Sequence, residues 1–294
     1  MNKSKITAYT ALATVMSASA AYADLSLSGL MAGTVDSGDA TTGISSGVST
    51  SSIYVSYSST LDNGMGMTAG FSSTGAGNNF SIGIDTGMGS ISFGETHSSA
   101  VDTMDGMPAG VNTVTSTASL GVYNDGDANE ASGIRYTSPA VNGFTFSMSM
   151  GENEASTSDA DDTKLDRTSS MAVKGSIAGV SLAGGKVTQA GDDGDDTFMT
   201  VGYSVAGVSL GYGNYDSDGN GDSTVIGLNT SFAGLSLGFE QEDWDGGSAT
   251  DQDQTSFSVG KDLGGMAVTV IYTDHDAGTG VDNQNWNLIY SVGF

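Results

Sequence analysis

The chain has 294 residues, with 8 Lys and Arg against 34 Asp and Glu and a formal net charge of −26. A surface this acidic repels phosphate and excludes nucleic-acid binding, and zero Cys excludes a disulfide framework and thiolate chemistry. The 44 Gly with only two Pro suit either a disordered chain or a β-rich one, and periodicity decides for the second.

Lys3 and Lys5 form a basic start, 6–18 is a mildly apolar run, and Ala21-Tyr22-Ala23 offers small residues where a signal peptidase cuts. Residues 1–23 are therefore expected to be a signal peptide, and 24–294 a single mature domain with six basic residues. The apolar run is too short, and too broken by Thr and Ser, for a spanning helix. No other segment approaches the roughly 20 apolar residues such a helix needs, a test that does not bear on strands.

From Asp24 onward the chain divides into segments of about eight to eleven residues with apolar side chains at every second position. Early examples are Ile53, Val55, Tyr57, then Phe80, Ile82, Ile84, then Ile91, Phe93, then Phe144, Phe146, Met148, Met150. Later ones are Met199, Val201, Tyr203, then Val208, Leu210, Tyr212, then Leu235, Leu237, Phe239, then Met266, Val268, Val270, Tyr272. Ser, Thr, Gly and Asn fill the alternate positions. A period of two with one polar face is a strand, of the length a tilted strand needs to cross a bilayer.

Short turns recur at 61–64, 87–89, 139–143, 178–179, 206–207, 233–234 and 263–265, rich in the Gly and Asn that supply positive φ. Longer polar connections alternate with them, at 36–50, 97–131, 153–167, 191–196, 217–222 and 243–254 among others. Seven short turns and eight longer connections predict sixteen strands, with both termini on the short-turn side. A soluble β-sandwich needs a packed core between two apolar faces, whereas large apolar residues here occupy one face of each strand. The predicted fold is all-β: a transmembrane antiparallel barrel, oily outside and wet within.

Catalytic and metal motifs are thin. Gly43-Ile44-Ser45-Ser46-Gly47 satisfies the nucleophile-elbow pattern but lies in the first long connection, without strand-then-helix context. His97 and His275 are the only imidazoles and neither has a partner by sequence, so no enzyme and no zinc site is expected. Asp216, Asp218, Asn220 and Asp222 have the alternate-oxygen spacing of a calcium loop, although its twelfth position falls on Gly227 where a Glu belongs. Calcium is thus the one candidate ion, and no cofactor is expected.

The last segment sets Trp286, Leu288, Tyr290, Val292 and Phe294 on one face and Asn287, Ile289 and Ser291 on the other. A terminal Phe with an aromatic four residues earlier resembles the assembly signal of bacterial outer-membrane proteins, in which the barrel-insertion machinery reads Tyr290 and Phe294. With the export signal and the strand count, the mature chain resembles a short, acidic member of the general Gram-negative porin family. The resemblance implies an outer-membrane homotrimer of water-filled barrels, each passing small hydrophilic solutes by diffusion. Short turns would face the periplasm, and long outer loops would meet lipopolysaccharide.

The resemblance further implies that the connection between strands five and six folds into the lumen and narrows it. Here that connection, 97–131, is the longest, with Asp102, Asp105, Asp125, Asp127 and Glu130 as the acidic side of a constriction. The family sets a basic cluster on the facing wall from early strands, yet strands two to four contain no basic residue. Parity turns Arg135 and Lys174 toward the lumen. A bulge at Gly184-Gly185 is the one device that would redirect Lys186, and Lys261 shares the lipid-facing parity of Phe257 and Val259. Carboxylates outnumbering cations favour cation passage. A substrate-specific channel or an acidic surface-binding barrel is the alternative, with Tyr54 and Trp244 too few aromatics for a sugar track.

Overall fold

A computed structural model describes residues 24–38, 45–74, 78–94, 100–101, 130–153, 167–189, 195–217, 221–245, 251–276 and 282–293. Sixteen strands follow in chain order: Asp24–Gly38 (β1), Ser45–Thr60 (β2), Gly66–Thr74 (β3), Asn78–Asp85 (β4), Ser90–Gly94 (β5), Glu130–Thr137 (β6), Phe144–Asn153 (β7) and Arg167–Ile177 (β8). Then come Val180–Gln189 (β9), Asp195–Val205 (β10), Val208–Ser217 (β11), Gly221–Phe232 (β12), Leu235–Asp245 (β13), Gln252–Asp262 (β14), Met266–Asp276 (β15) and Asp282–Gly293 (β16). Each pairs antiparallel with its neighbours in sequence, and β1 closes on β16 from Leu30↔Gly293 to Gly38↔Asn285. Closure leaves no unpaired edge, the condition for a sheet in hydrocarbon.

Alternation decides which way each side chain points. Leu27, Ile53, Met148, Met150, Met171, Met199, Leu210 and Phe257 lie on one face and are exposed, as an outward apolar belt requires. The opposite face lies inside the ring, and Ser149, Ser170, Thr200 and Ser256 on it are buried. Outward aromatics sit toward both ends: Trp286 meets Tyr272 in a tilted contact at a centroid distance of 4.8 Å near one, and Tyr203 and Tyr290 lie near the other. Such girdles mark the two membrane interfaces.

All seven predicted short turns are present. Four are two-residue hairpins with both central φ positive: Asn142-Gly143, Ala178-Gly179, Ala206-Gly207 and Ala233-Gly234. This is type I′ geometry, whose twist matches the flanking strands. Glycine and Asn were expected to carry it, yet alanine occupies the first site in three turns at φ of 50–52°.

Candidate functional site

The lumen is the site, and its wall is built row by row from strand register. One row crosses Ser56, Gly70, Ser81, Gly94 and Gly133. The next crosses Ser58, Thr68, Gly83, Ser92, Arg135, Ser149 and Ser170. Ser56, Thr68 and Ser81 are exposed and Tyr54 is 41 % exposed, so solvent reaches the wall made by β2–β5. On the other side Thr168, Thr200, Ser256 and Thr273 are each only 1 % exposed, so that wall is covered.

Two residues of one connection lie against this wall. Ala100 and Val101, from the connection between β5 and β6, are 0 % and 5 % exposed. The Ala100 amide donates to Ser149 Oγ at 2.9 Å and to Ser170 Oγ at 2.8 Å, both inward on β7 and β8. Ala100 packs on Ala172 and Ala183, Val101 on Val187, and Phe198 closes over both pairs. Phe198 in turn meets Tyr215 with ring centroids 4.9 Å apart. This patch corrects the expectation that large apolar residues occupy only the outer face: Val187, Phe198, Tyr215, Val225 and Ile271 all share the inner parity. Sequence alternation reads as polar or apolar by majority, and it missed them because apolar residues stand on both faces of β9 to β12 and of β15. The covered wall is an interior core in miniature, and dispersion and burial hold Ala100 and Val101 there.

The predicted charged residues divide among three places. Arg135 and Lys174 face inward on β6 and β8, as parity required: Arg135 lies opposite Ser92 and Ser149, Lys174 opposite Thr145 and Ala183. Glu130 is the first residue of β6, opposite Asn153, and not a loop acid. Asp102, Asp105, Asp125 and Asp127 lie outside the described residues, as do His97, Phe294, residues 1–23 expected as a signal peptide, and the Gly43–Ile44 half of the elbow pattern. Ser45 to Gly47 begin strand β2 rather than turning into a helix, so the elbow geometry is not formed there.

Lys186 pairs opposite outward-facing Met171, with no register shift in β9, so the Gly184-Gly185 step does not redirect it. Its Nζ instead meets Asp195 at 2.5 Å on the outer surface. Lys261 is also outward, with Nζ 3.4 Å from the Gly234 carbonyl, as a side chain seeking the interface does. Sequence reasoning missed the inner acids Asp196, Glu240 and Glu242, which are 5–7 % exposed. For two of them the signal was there: Asp196 stands opposite Ser217, and Glu240 opposite Gly227 and Ser256, whereas Glu242 lies between Val225 and Gln254.

Near the ends of the strands that lead to the long connections, outward carboxylates stand directly opposite one another. Asp216 faces Asp222, Asp222 faces Asp245, Asp243 faces Asp253, and Asp253 faces Asp276. Asp218 and Asn220 of the proposed calcium loop lie outside the described residues, and no group of three or more metal-ligating side chains occurs among the described ones. His275 faces the lumen with Nε2 3.1 Å from Gln252 Oε1, an amide that neither activates it nor accepts attack.

A closed sixteen-strand ring with lipid-facing apolar side chains, a hydroxylated inner wall and an interior segment against one side of it defines a membrane channel barrel. The chain belongs to the Gram-negative porin family, whose model matches residues 8–294. Its place is accordingly the outer membrane, and its class is that of channel proteins. Solved structures of like fold include a loop-deletion mutant of OmpT from Vibrio cholerae, at 14% identity and a TM-score of 0.69, covering 93% of this chain and 100% of that one. An engineered variant of the Rhodobacter blastica porin aligns at 16% identity and 0.68, covering 92% and 100%. A porin structure refined at 1.8 Å aligns at 14% and 0.65, again covering 92% and 100%. No curated protein matches the chain.

Proposed function

We propose that this barrel is a passive diffusion channel for small hydrophilic solutes and ions, and that it prefers cations. The observation carrying the proposal is the inner-wall balance. Among the described residues, Arg135 and Lys174 are the only inward-facing Arg or Lys, against the inward acids Asp196, Glu240 and Glu242, and the opposed outward carboxylates at the strand ends add negative charge around the mouth. Carboxylates at a mouth and along a wall concentrate cations and raise the barrier for anions.

In this reading the connection after β5 narrows the lumen from the covered side, with Asp102, Asp105, Asp125 and Asp127 contributing negative charge. Support comes from the seat of Ala100 and Val101 on the inner wall, and from the hydroxylated wall left open opposite them. Export by residues 1–23, insertion through Tyr290 and Phe294, assembly as a homotrimer and contact with lipopolysaccharide complete the proposal. Calcium bridging at the outer rim is supported by the opposed placement of Asp216 and Asp222, and calorimetric titration without heat removes it. Reversal potentials across planar bilayers under a KCl gradient test the central claim. A sign corresponding to cation passage is expected, and anion preference overturns it.

A further inference from the structure

The open wall contains a recess of about 440 Å³, within the roughly 300–1,000 Å³ typical of small-molecule sites. Its shape comes from missing side chains on the inner face. A Cβ on Gly94 would lie 2.6 Å from the Phe80 carbonyl, one on Gly83 2.5 Å from Thr68 Oγ1, and one on Gly70 2.9 Å from Ser81 Oγ. These three positions stay bare, and the wall is hollowed where β3, β4 and β5 run side by side.

What surrounds the hollow is chemically uneven. Tyr54 stands at one end on β2 and Arg135 at the other on β6, four strand spacings apart, or roughly 19 Å along the curved sheet. Between them Thr68, Asn79, Ser81 and Ser92 offer hydroxyls and an amide. Arg135 is the only charged group lining the recess. A guanidinium donates in a planar fork that fits a carboxylate, and hydroxyls and an amide exchange hydrogen bonds with a polyol. The guanidinium end repels a bare inorganic cation.

We propose that this recess is a solute subsite on the pore wall that holds small polyhydroxylated carboxylates, with the acid group at Arg135 and the hydroxylated chain along Thr68, Asn79, Ser81 and Ser92. The subsite rests on the channel reading above and adds a stopping place to it. In a carboxylate-rich pore it is the step at which an acidic solute gains a partner. The gain is weak, because the site is open to water.

The experiment compares gluconate, glucitol and acetate, each added to purified channels in planar bilayers, for wild type, Arg135→Gln and Asn79→Ala. Gluconate is expected to add current noise through brief occupancy. Arg135→Gln weakens that occupancy about tenfold, the scale of one charge-assisted hydrogen bond. Asn79→Ala weakens gluconate and leaves acetate unchanged, and glucitol responds to neither Arg135→Gln nor the added charge of the solute. Gluconate noise that is equal in wild type and Arg135→Gln overturns the subsite. Equal loss for gluconate and acetate in Arg135→Gln, with no effect of Asn79→Ala, overturns it as well, because Arg135 is then a general attractor of anions. Heat-modifiable migration in detergent gels confirms that each variant is a folded barrel. The KCl reversal potential is read on the same membranes: anion preference with intact gluconate block sinks the selectivity claim alone, and cation preference without block sinks the subsite alone.

Discussion

Replacing Ser149 and Ser170 together by alanine removes both acceptors of the Ala100 amide, at 2.9 and 2.8 Å, and with them the hydroxyl pair at 2.6 Å. Ala100 is 0 % exposed, so its N–H loses these two acceptors in a dry position. An unmet buried donor costs about 1–3 kcal/mol, which lowers the ratio of seated to released segment by roughly 5- to 150-fold. A water entering the space of the two lost hydroxyls would hold the effect to the low end. The Ser149↔Ser170 backbone pairing is untouched, so the barrel should melt where wild type melts. Single-channel recording in planar bilayers is expected to show larger open-channel current variance and a higher mean conductance, because a segment leaving the covered wall alternately frees and obstructs the lumen. Unchanged variance and conductance in a folded double variant would refute the idea that this hydrogen-bonded seat restrains the channel.

Other consequences are independent of that one. Ala178, Ala206 and Ala233 sit at φ of 50–52°, a conformation that strains an L residue by about 1 kcal/mol; changing each to Asn should recover part of it and raise the melting temperature in detergent, whereas Ala206→Val should lower it. The opposed Asp pairs on β11–β15 repel across the sheet, so raising ionic strength from about 0.01 to 0.15 M, which shortens the Debye length from about 30 to 8 Å, should stabilise the barrel. A melting temperature that is flat in salt would contradict it. The double change Arg135→Gln, Lys174→Gln strips the inner wall of its described cations and should move the KCl reversal potential further toward cation passage. Lys186→Gln breaks an ion pair whose side chains are 42% and 38% exposed and should cost less than about 1 kcal/mol, measured by thermal unfolding.

Much of the barrel was legible in the residues because lipid and water impose opposite demands on the two faces of a strand. Met148, Met150 and Met171 read as outward, Ser147, Ser149 and Ser170 as inward, and the register bears this out. The turns were legible because positive φ has a short list of willing residues, although the three Ala-Gly hairpins show that twist can place alanine there against its preference. Lys186 was ambiguous from sequence, since two glycines permit a bulge, and only the uninterrupted pairing of β9 with β8 and β10 turned it outward.

The sequence by itself determined the number of strands, their order and the direction of nearly every side chain, because a period of two has only two phases and the bilayer selects one. It could not decide where inside the ring the chain covers its own wall. Val187, Phe198 and Tyr215 look like faults in the polar phase until Val101 is seen to pack on Val187 beneath Phe198. The grouping of Gly70, Gly83 and Gly94 into a single hollow is likewise a matter of register between β3, β4 and β5. Contacts between residues far apart in the chain arise from closure, and no local pattern encodes them.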